Sequence, residues 1–545
     1  MSRARRYWWA VVLVVVVALL AQGTARAAGN PVSPYGGLSS SQRASLLAIA
    51  RDTWKFYGAD VDQATGLPMD NITFAGGSAT PTGFGRYTSA ANIGVYLWAV
   101  VAARDLGLVS EPQARARIQA TLTEVSHLKR DNGFLYQWYD TTNGNVLTNP
   151  GQGDCTETTP AFDNCFFISN VDNGWYASGL IVVRQAMPEL SHLVNSLIAP
   201  MNFGLFYDAR AETHCNVNPA ITGNQPTGQM FGGYYVGLPP ETGDNWTHYY
   251  HNGALYSDPR ISAYIGMGLH QMPGNVWWRS WRELPPPAPF ADCQSTDPDF
   301  SWQGQWPMAG SWQTYTDPQS GQKFPVWEGH YTYPDPGSSG LTFIPTYSGG
   351  MFEGLMPNEI VPETSWGTRS FGLADARTAQ VQIKYATQQL HYPVWGMSPS
   401  STPDDTGGYG GYGVEGLAFP YFGTGADASH PNQGLSQCHG CATEDVVTPH
   451  ASFLALDVAP QQAFANITAL RSRYPGVYGA DGFFDAVNPT TGAVGHRDLV
   501  LDQSMIMAAL DNALRDRALQ RDFARDPVSW AAHTYLSMET MSITG

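Results

Sequence analysis

Residues 89–106, SAANIGVYLWAVVAARDL, decide how this chain folds. Ser89 has the short hydroxyl that accepts from the free N–H groups of a first helical turn. Apolar residues follow at three- and four-residue spacing, with no proline and no charge before Arg104. That pattern predicts a core helix, with Asn92 as a polar residue that faces a cleft. The same spacing recurs over 41–57, 111–128, 170–187, 375–390, 460–473 and 502–517, with a shorter helix over 261–269. Helices arriving in sequential pairs match an all-α architecture, an (α/α)6 toroid of about six helical hairpins. A β-propeller or sandwich is the alternative, fed by strand-like pieces such as 311–316, but no repeat at propeller period is present. The segments 216–252 and 281–347 are longer than simple connections and rich in aromatic residues, so they read as loops that build a binding surface.

The 545-residue chain carries a formal charge of −17, which disfavours nucleic acid and anionic lipid as partners. Arg3, Arg5 and Arg6, the apolar run 8–20 and Ala25-Arg26-Ala27 read as a signal peptide over 1–27. No second apolar segment follows and no cysteine sits at the cleavage point, so the expectation is a secreted, extracellular protein without a stable membrane anchor. Residues 28–39 are expected to be a flexible N-terminus. No Ser/Gly/Pro linker interrupts the chain after residue 40, so 40–535 reads as a single catalytic domain, expected to be a monomer. Six cysteines in an exported chain point to disulfides, with Cys155 and Cys165 a natural local pair. Cys438-His439-Gly440-Cys441 reads as a short disulfide in preference to zinc, since no second pair has that spacing.

Several carboxylates lie in aromatic, glycine-rich company, as sugar chemistry requires: rings stack on the C–H faces of sugars, and glycosidic bonds yield to two carboxyl groups in different protonation states. Asp258, in Tyr256-Ser257-Asp258-Pro259-Arg260, has an ordinary reading as a helix cap, but Trp246, His248, Tyr249, Tyr250, His251, Trp277, Trp278 and Trp281 crowd around it in sequence. His248 and His251 lack the further spaced ligand that zinc needs. Glu353 stands in an apolar, Gly-flanked segment, either with a raised pKa or held by an arginine; Glu328 and Glu363 are weaker versions of the same case. Asp172 fits equally as a helix-start acid and as a substrate ligand. Asp485, in the Gly-rich turn 479–488, is the best candidate for a general base, whereas Asp502 reads as the cap of its helix. The tract 406–413, TGGYGGYG, reads as a mobile loop at a cleft rim. Asp60-x-Asp62 fails as a calcium loop at the following positions, and no Walker or Gly-x-Ser-x-Gly motif occurs.

Taken in order, Thr88–Gly94, Val171-Asp172-Asn173-Gly174, Met351–Pro357, Trp395-Gly396-Met397-Ser398, Val447–Ala451, Tyr478–Ala486 and Leu501-Asp502-Gln503 resemble the glycoamylase-like domain family. That family groups bacterial endo-β-1,2-glucanases with one domain of cyclic β-1,2-glucan synthases. The resemblance runs from about residue 40 to about 520, and implies an (α/α)6 toroid and metal-independent hydrolysis, with no cofactor, of a β-glucan polysaccharide or oligosaccharide. The position of the glucanases' proton-donating Glu corresponds to Asp258, and their base to Asp485. The retaining synthase branch has a Glu after its Trp-Gly-Ile-Ser segment where this chain has Pro399, so inversion is expected. On this basis Asp258 donates a proton, Asp485 activates water, Glu353, Asp172, Arg260 and Gln503 orient the substrate, and Trp175, Trp395 and Tyr409 form stacking platforms. A glycan-binding protein without catalysis, or a hydrolase of a different cell-wall polysaccharide, are the alternatives.

Overall fold

The computed structural model describes residues 34–156, 165–209, 228–236, 252–280, 282, 309–333, 340–344, 346, 349–414 and 445–543. The signal-peptide reading of 1–27, His248 and His251, and Cys438 and Cys441 lie outside the described residues. The described chain is mostly helical with short strands. Its helices are α1 (Ser40–Asp60), α2 (Ala90–Asp105), α3 (Glu111–His127), α4 (Asn170–Ala186), α5 (Ser191–Ile198), α6 (Arg260–Gly268), α7 (Asn275–Trp278), α8 (Met351–Leu355), α9 (Glu363–Trp366), α10 (Phe371–Lys384), α11 (Pro449–Leu454), α12 (Pro460–Arg473), α13 (Val500–Leu514), α14 (Ala518–Arg525) and α15 (Trp530–Met538).

Each helix expected from periodicity forms, and the starts follow the caps. Ser89 Oγ accepts from Asn92 N at 3.1 Å and Ser169 Oγ from Asp172 N at 3.3 Å. The helix expected over 375–390 begins earlier, at Phe371, and its end widens into a π-turn, Tyr385–Gln389. Residues 34–37, inside the segment read as flexible, form a 3-10 turn in which Tyr35 is buried. Cys155 and Cys165 are disulfide-bonded. Among the described residues, no helix is long and apolar enough to cross a membrane.

Two glycines set the spacing of the central helices. A Cβ on Gly94 of α2 would come within 2.3 Å of Trp175 O in α4, and one on Gly174 within 2.2 Å of Ser262 Oγ in α6. Glycine inside a helix costs about 1 kcal/mol, and here it lets α2, α4 and α6 pack backbone to backbone. From there the neighbours run in one circuit: α2 against α4, α4 against α6, α8 against α11, α11 against α13, and α13 back against α2. The step from α6 to α8 is made by Arg260. Its guanidinium donates to Glu363 Oε1 and Oε2 at 2.8 Å each, to Ser257 O at 3.0 Å, to Glu353 O at 3.3 Å and to Gly354 O. Around this circuit α1 packs on α13, α3 on α2, α5 on α4, α10 on α8, α12 on α11 and α15 on α6.

Arg260 and Glu363 are both fully buried, so each charge depends on the other. Removing one partner of such a pair strands a charge in the interior at about 3–5 kcal/mol. Glu363→Ala is therefore expected to lower the unfolding free energy from urea titration by that much, as a lower midpoint at an unchanged m-value; a loss under about 1 kcal/mol would mean that Arg260 finds another anion.

The long segment 281–347 is not all loop. Strand Ala309–Thr316 pairs antiparallel with Lys323–Tyr333, which pairs with Leu341–Phe343. A second small sheet joins Arg497–Leu499 to Asn71–Thr73 and Asn71–Thr73 to Gly83–Gly85, fixing Asp70 and Asp498 beside the start of α13. The tract around Tyr409 is likewise a hairpin, not a free loop: Ser400–Ser401 pairs with Tyr409–Gly410, and Asp405 in its turn accepts from Gly76 N at 2.7 Å and pairs with His496 at 2.9 Å.

Candidate active site

Two pairs of carboxyl groups converge at the ends of the central helices. The first is Asp258 with Glu353. Asp258 immediately precedes Pro259, the N-cap of α6, and its side chain caps nothing. Its Oδ2 instead accepts from Trp175 Nε1 at 3.3 Å. Glu353, in the first turn of α8, accepts from Ser257 Oγ at 2.6 Å. Asp258 is pushed well above the ordinary carboxyl range, first by desolvation, then by the negative charge of Glu353; Trp175 and Arg260 oppose the shift. Asp258 is thus the proton-holding member of its pair.

The segment Gly396-Met397-Ser398 clamps this pair to the next. Met351 N donates to Met397 O at 2.9 Å and Phe352 N to Ser398 Oγ at 3.1 Å, fixing the start of α8. Thr448 N donates to Gly396 O at 2.9 Å, two residues before His450. Val447 and Val487 then exchange backbone hydrogen bonds of 2.9 Å, which brings the turn carrying Asp485 alongside.

The second pair is Asp485 with Asp502, joined by His450. Asp485 Oδ2 accepts from Ser401 N at 2.5 Å. His450 Nδ1 lies 2.7 Å from Thr448 Oγ1 and 3.4 Å from Asp502 Oδ2. All three side chains are at most 2 % exposed. Asp485 Oδ1, both Asp502 oxygens and His450 Nε2 meet no hydrogen-bonding partner among the described residues. Desolvation, then the charge of Asp485, then that of Asp70, raise Asp502 well above the carboxyl range. Burial pushes His450 down to about 4, against the pull of Asp485, so the imidazole is neutral. The ligand atoms of His450, Asp485 and Asp502 lie within 4.8 Å of one another, making this the group among the described residues whose spacing suits a metal ion.

Tyr409 links the two pairs. Its ring is half exposed (51 %), yet its hydroxyl is pushed well up by desolvation, then by the charges of Asp502, Asp485, Asp70 and Glu353. A half-exposed ring beside these acids offers a face on which a sugar ring can stack. Asp172 is half-buried one turn before Trp175 and raised by desolvation. Asn92 Nδ2 donates to Asp70 Oδ1 at 2.9 Å, so it acts on the site through Asp70.

Other expected roles change. Arg260 is 1 % exposed and committed to Glu363 and backbone carbonyls, so it is an internal strut and does not touch a ligand. Trp175 is 2 % exposed and packs edge-on against Trp98 at 5.5 Å; its indole N–H holds Asp258, and its face is not free for a sugar. Trp395 is buried in the core. Gln503 is buried, and its Nε2 donates to Phe483 O at 2.8 Å, bracing the turn ahead of Asp485. Asp502 does not cap α13: Leu499 is the N-cap and the carboxyl turns towards Asp485. Glu328, buried against Glu539, is pushed up to about 8 by desolvation and then by the Glu539 charge, within the strand layer and away from these pairs. His450 was not singled out from sequence; its signal was the run Thr448-Pro449-His450, a helix start that points a histidine inward.

Residues 314–527 match the family model described as "Putative glucoamylase", and residues 48–205 match one described as a protein of unknown function, DUF3131. The match over 314–527 agrees with the resemblance read from the motifs in that part of the chain. Over 143 residues the chain is 30% identical to the cyclic beta-(1,2)-glucan synthase NdvB of Rhizobium meliloti, a match that spans 26% of this chain and 4% of that protein. Among solved structures, a "putative glucoamylase" from Bacteroides fragilis superposes with a TM-score of 0.59 at 16% identity, over 92% of this chain and 98% of its own. The endo-beta-1,2-glucanase from Chitinophaga pinensis, in complex with sophorotriose and glucose, superposes at 0.58 and 14% identity, over 92% of this chain and 98% of its own. These likenesses show a shared fold.

Proposed function

We propose that this protein is a secreted, monomeric glycoside hydrolase that cleaves a β-linked glucan, with β-1,2-glucan the favoured substrate, by inversion of configuration in a single (α/α)6 toroidal domain. The observation that carries this reading is the presence of two pairs of carboxyl groups, Asp258 with Glu353 and Asp485 with Asp502, with charges from both pairs acting on the hydroxyl of a half-exposed tyrosine. The circuit of central helices with a second helix outside most of them supports the toroid. The solved structures that share the fold, and the motif resemblance, support the glucan.

In this reading the neutral Asp258 gives its proton to the glycosidic oxygen as the bond breaks. Its new charge is then met by the Trp175 N–H and by Arg260 behind it. Asp485, held by the Ser401 N–H, takes a proton from water, directly or through a sugar hydroxyl, as that water attacks the anomeric carbon. Pro399, where the retaining branch carries an acid, supports inversion, in which about 6.5–9.5 Å between acid and base leaves room for the water. Tyr409 stacks on the sugar, and Asp172 and Glu353 accept from its hydroxyls.

Reducing-end release by the purified protein, measured across a panel of polysaccharides that includes linear β-1,2-glucan, tests this. Release from that glucan supports the reading; release from another polymer alone replaces the substrate. Binding to a glucan without release overturns catalysis in favour of a glycan-binding protein.

A further inference from the structure

We propose that Asp405 is a positioning residue: it latches the hairpin 400–410 onto the segment 494–499, and through that hairpin it sets both the Tyr409 ring and the donor that aims Asp485. This rests on the reading above, in which Tyr409 stacks on the sugar and Asp485 is the base.

The two strands of the hairpin serve the two halves of the site. Ser401, in the first, gives the N–H that meets Asp485 Oδ2 at 2.5 Å, and Tyr409, directly opposite it in the second, carries the ring. A ladder this short is not stable alone, so whatever holds its turn decides where both groups lie. Asp404 is used up inside that turn, where its Oδ1 accepts from Thr406 N and from Thr402 Oγ1 at 2.9 Å each. Asp405 instead reaches out of it. Its Oδ2 accepts from Gly76 N at 2.7 Å and its Oδ1 from His496 N at 3.1 Å, with His496 Nδ1 2.9 Å from the same oxygen. The Arg497 guanidinium donates to Gly407 O at 3.0 Å, from the same segment as His496. The turn lies directly against that segment, since a Cβ on Gly495 would stand 2.3 Å from Thr402 O.

The segment that receives the latch also holds the other end of Asp485. Asp485 N donates to Arg497 O at 3.0 Å, and Phe74 N to His496 O at 2.8 Å. The backbone of Asp485 is thus fixed by 494–499 and its carboxyl by the hairpin, and Asp405 ties these two anchors together. A misplacement of about 1 Å at a reacting group can cost on the order of 10²-fold in rate. Hydrogen bonds made at an exposed turn therefore bear on the chemistry without touching the substrate.

The test compares wild type, Asp405→Ala and Asp405→Asn in the full chain, each also in a Tyr409→Ala background. Alanine removes both acceptor oxygens of Asp405; asparagine keeps one. On the polymer that wild type cleaves best, Asp405→Ala is expected to raise KM about tenfold and to lower kcat roughly tenfold, with Asp405→Asn between it and wild type. In the Tyr409→Ala background the KM effect of Asp405→Ala disappears, because the ring it would misplace is already gone. The kcat effect, which runs through Ser401 and Asp485, remains. Equal KM effects in both backgrounds are what a merely structural role gives, and they overturn the proposal.

Hydrogen exchange gives a readout that does not need turnover. In Asp405→Ala the amides of residues 400–410 are expected to exchange about tenfold faster, while those of α2 and α13 keep their wild-type rates. Unchanged exchange in the hairpin overturns the proposal, and so does exchange that rises equally in α2 and α13 in both variants. A wild type that releases no reducing ends from any polymer overturns the underlying reading, and this proposal with it, before any variant is made. An active wild type with Asp405 variants equal to it overturns this proposal alone.

Discussion

Asp258→Asn is expected to lower kcat on β-1,2-glucan by about 10²–10⁴-fold, the range for removal of a general acid or base. The folded protein survives the change, because asparagine keeps an acceptor for Trp175 Nε1 and gains a donor towards Glu353. The sign of the pH dependence follows from the raised pKa. A general acid works while protonated, so wild-type activity falls as pH rises through the raised Asp258 value, and the variant lacks that basic limb. The same shift acts on stability, where a buried acid with a raised folded pKa loses its contribution as pH rises. Asp258→Asn therefore melts no lower than wild type at neutral pH. A β-glucoside with an acidic leaving group, such as dinitrophenolate, needs no proton from the enzyme, and its hydrolysis is expected to be largely restored. A variant within threefold of wild type on the polymer would remove Asp258 from the mechanism.

Asp485→Asn is expected to lower kcat by a comparable 10²–10⁴-fold, with the opposite leaving-group signature. Deprotonation of water is needed whatever group departs, so the activated glucoside is not restored. The amide has one acceptor oxygen to meet Ser401 N, so the turn keeps that hydrogen bond. Full turnover with this variant would place the base elsewhere; Asp70, held by Asn92 and Asn71 at 2.9 Å each, is the next carboxylate in the same space.

The helices were legible from their own signals: Ser89 marks a start, and apolar spacing marks the buried faces. The hairpin in 309–333 reads as loop with one strand-like piece, 311–316, for a local reason. Its first strand, Ala309–Thr316, is exposed along nearly its whole length and shows no alternation, while only the second buries Phe324, Val326 and Glu328 in turn. Asp258, Glu353 and Asp485 stood out through their aromatic and glycine neighbours. Asp502 and His450 did not, because each also satisfies the rules for a helix start, and only the Val447–Val487 pairing and the strand Arg497–Leu499 bring them to Asp485. Aromatic character alone misled at Trp175 and Trp395: a sequence does not say which ring has a free face, and the tight α2–α4 contact at Gly94 buries the first of them.

The direct measurement is proton NMR of the first sugar anomer released from linear β-1,2-glucan, followed before mutarotation, with wild type and Asp485→Asn side by side. Initial α-anomer from wild type and none from the variant is the outcome expected of an inverting hydrolase with Asp485 as its base. Initial β-anomer, or equal release by both proteins, would contradict it.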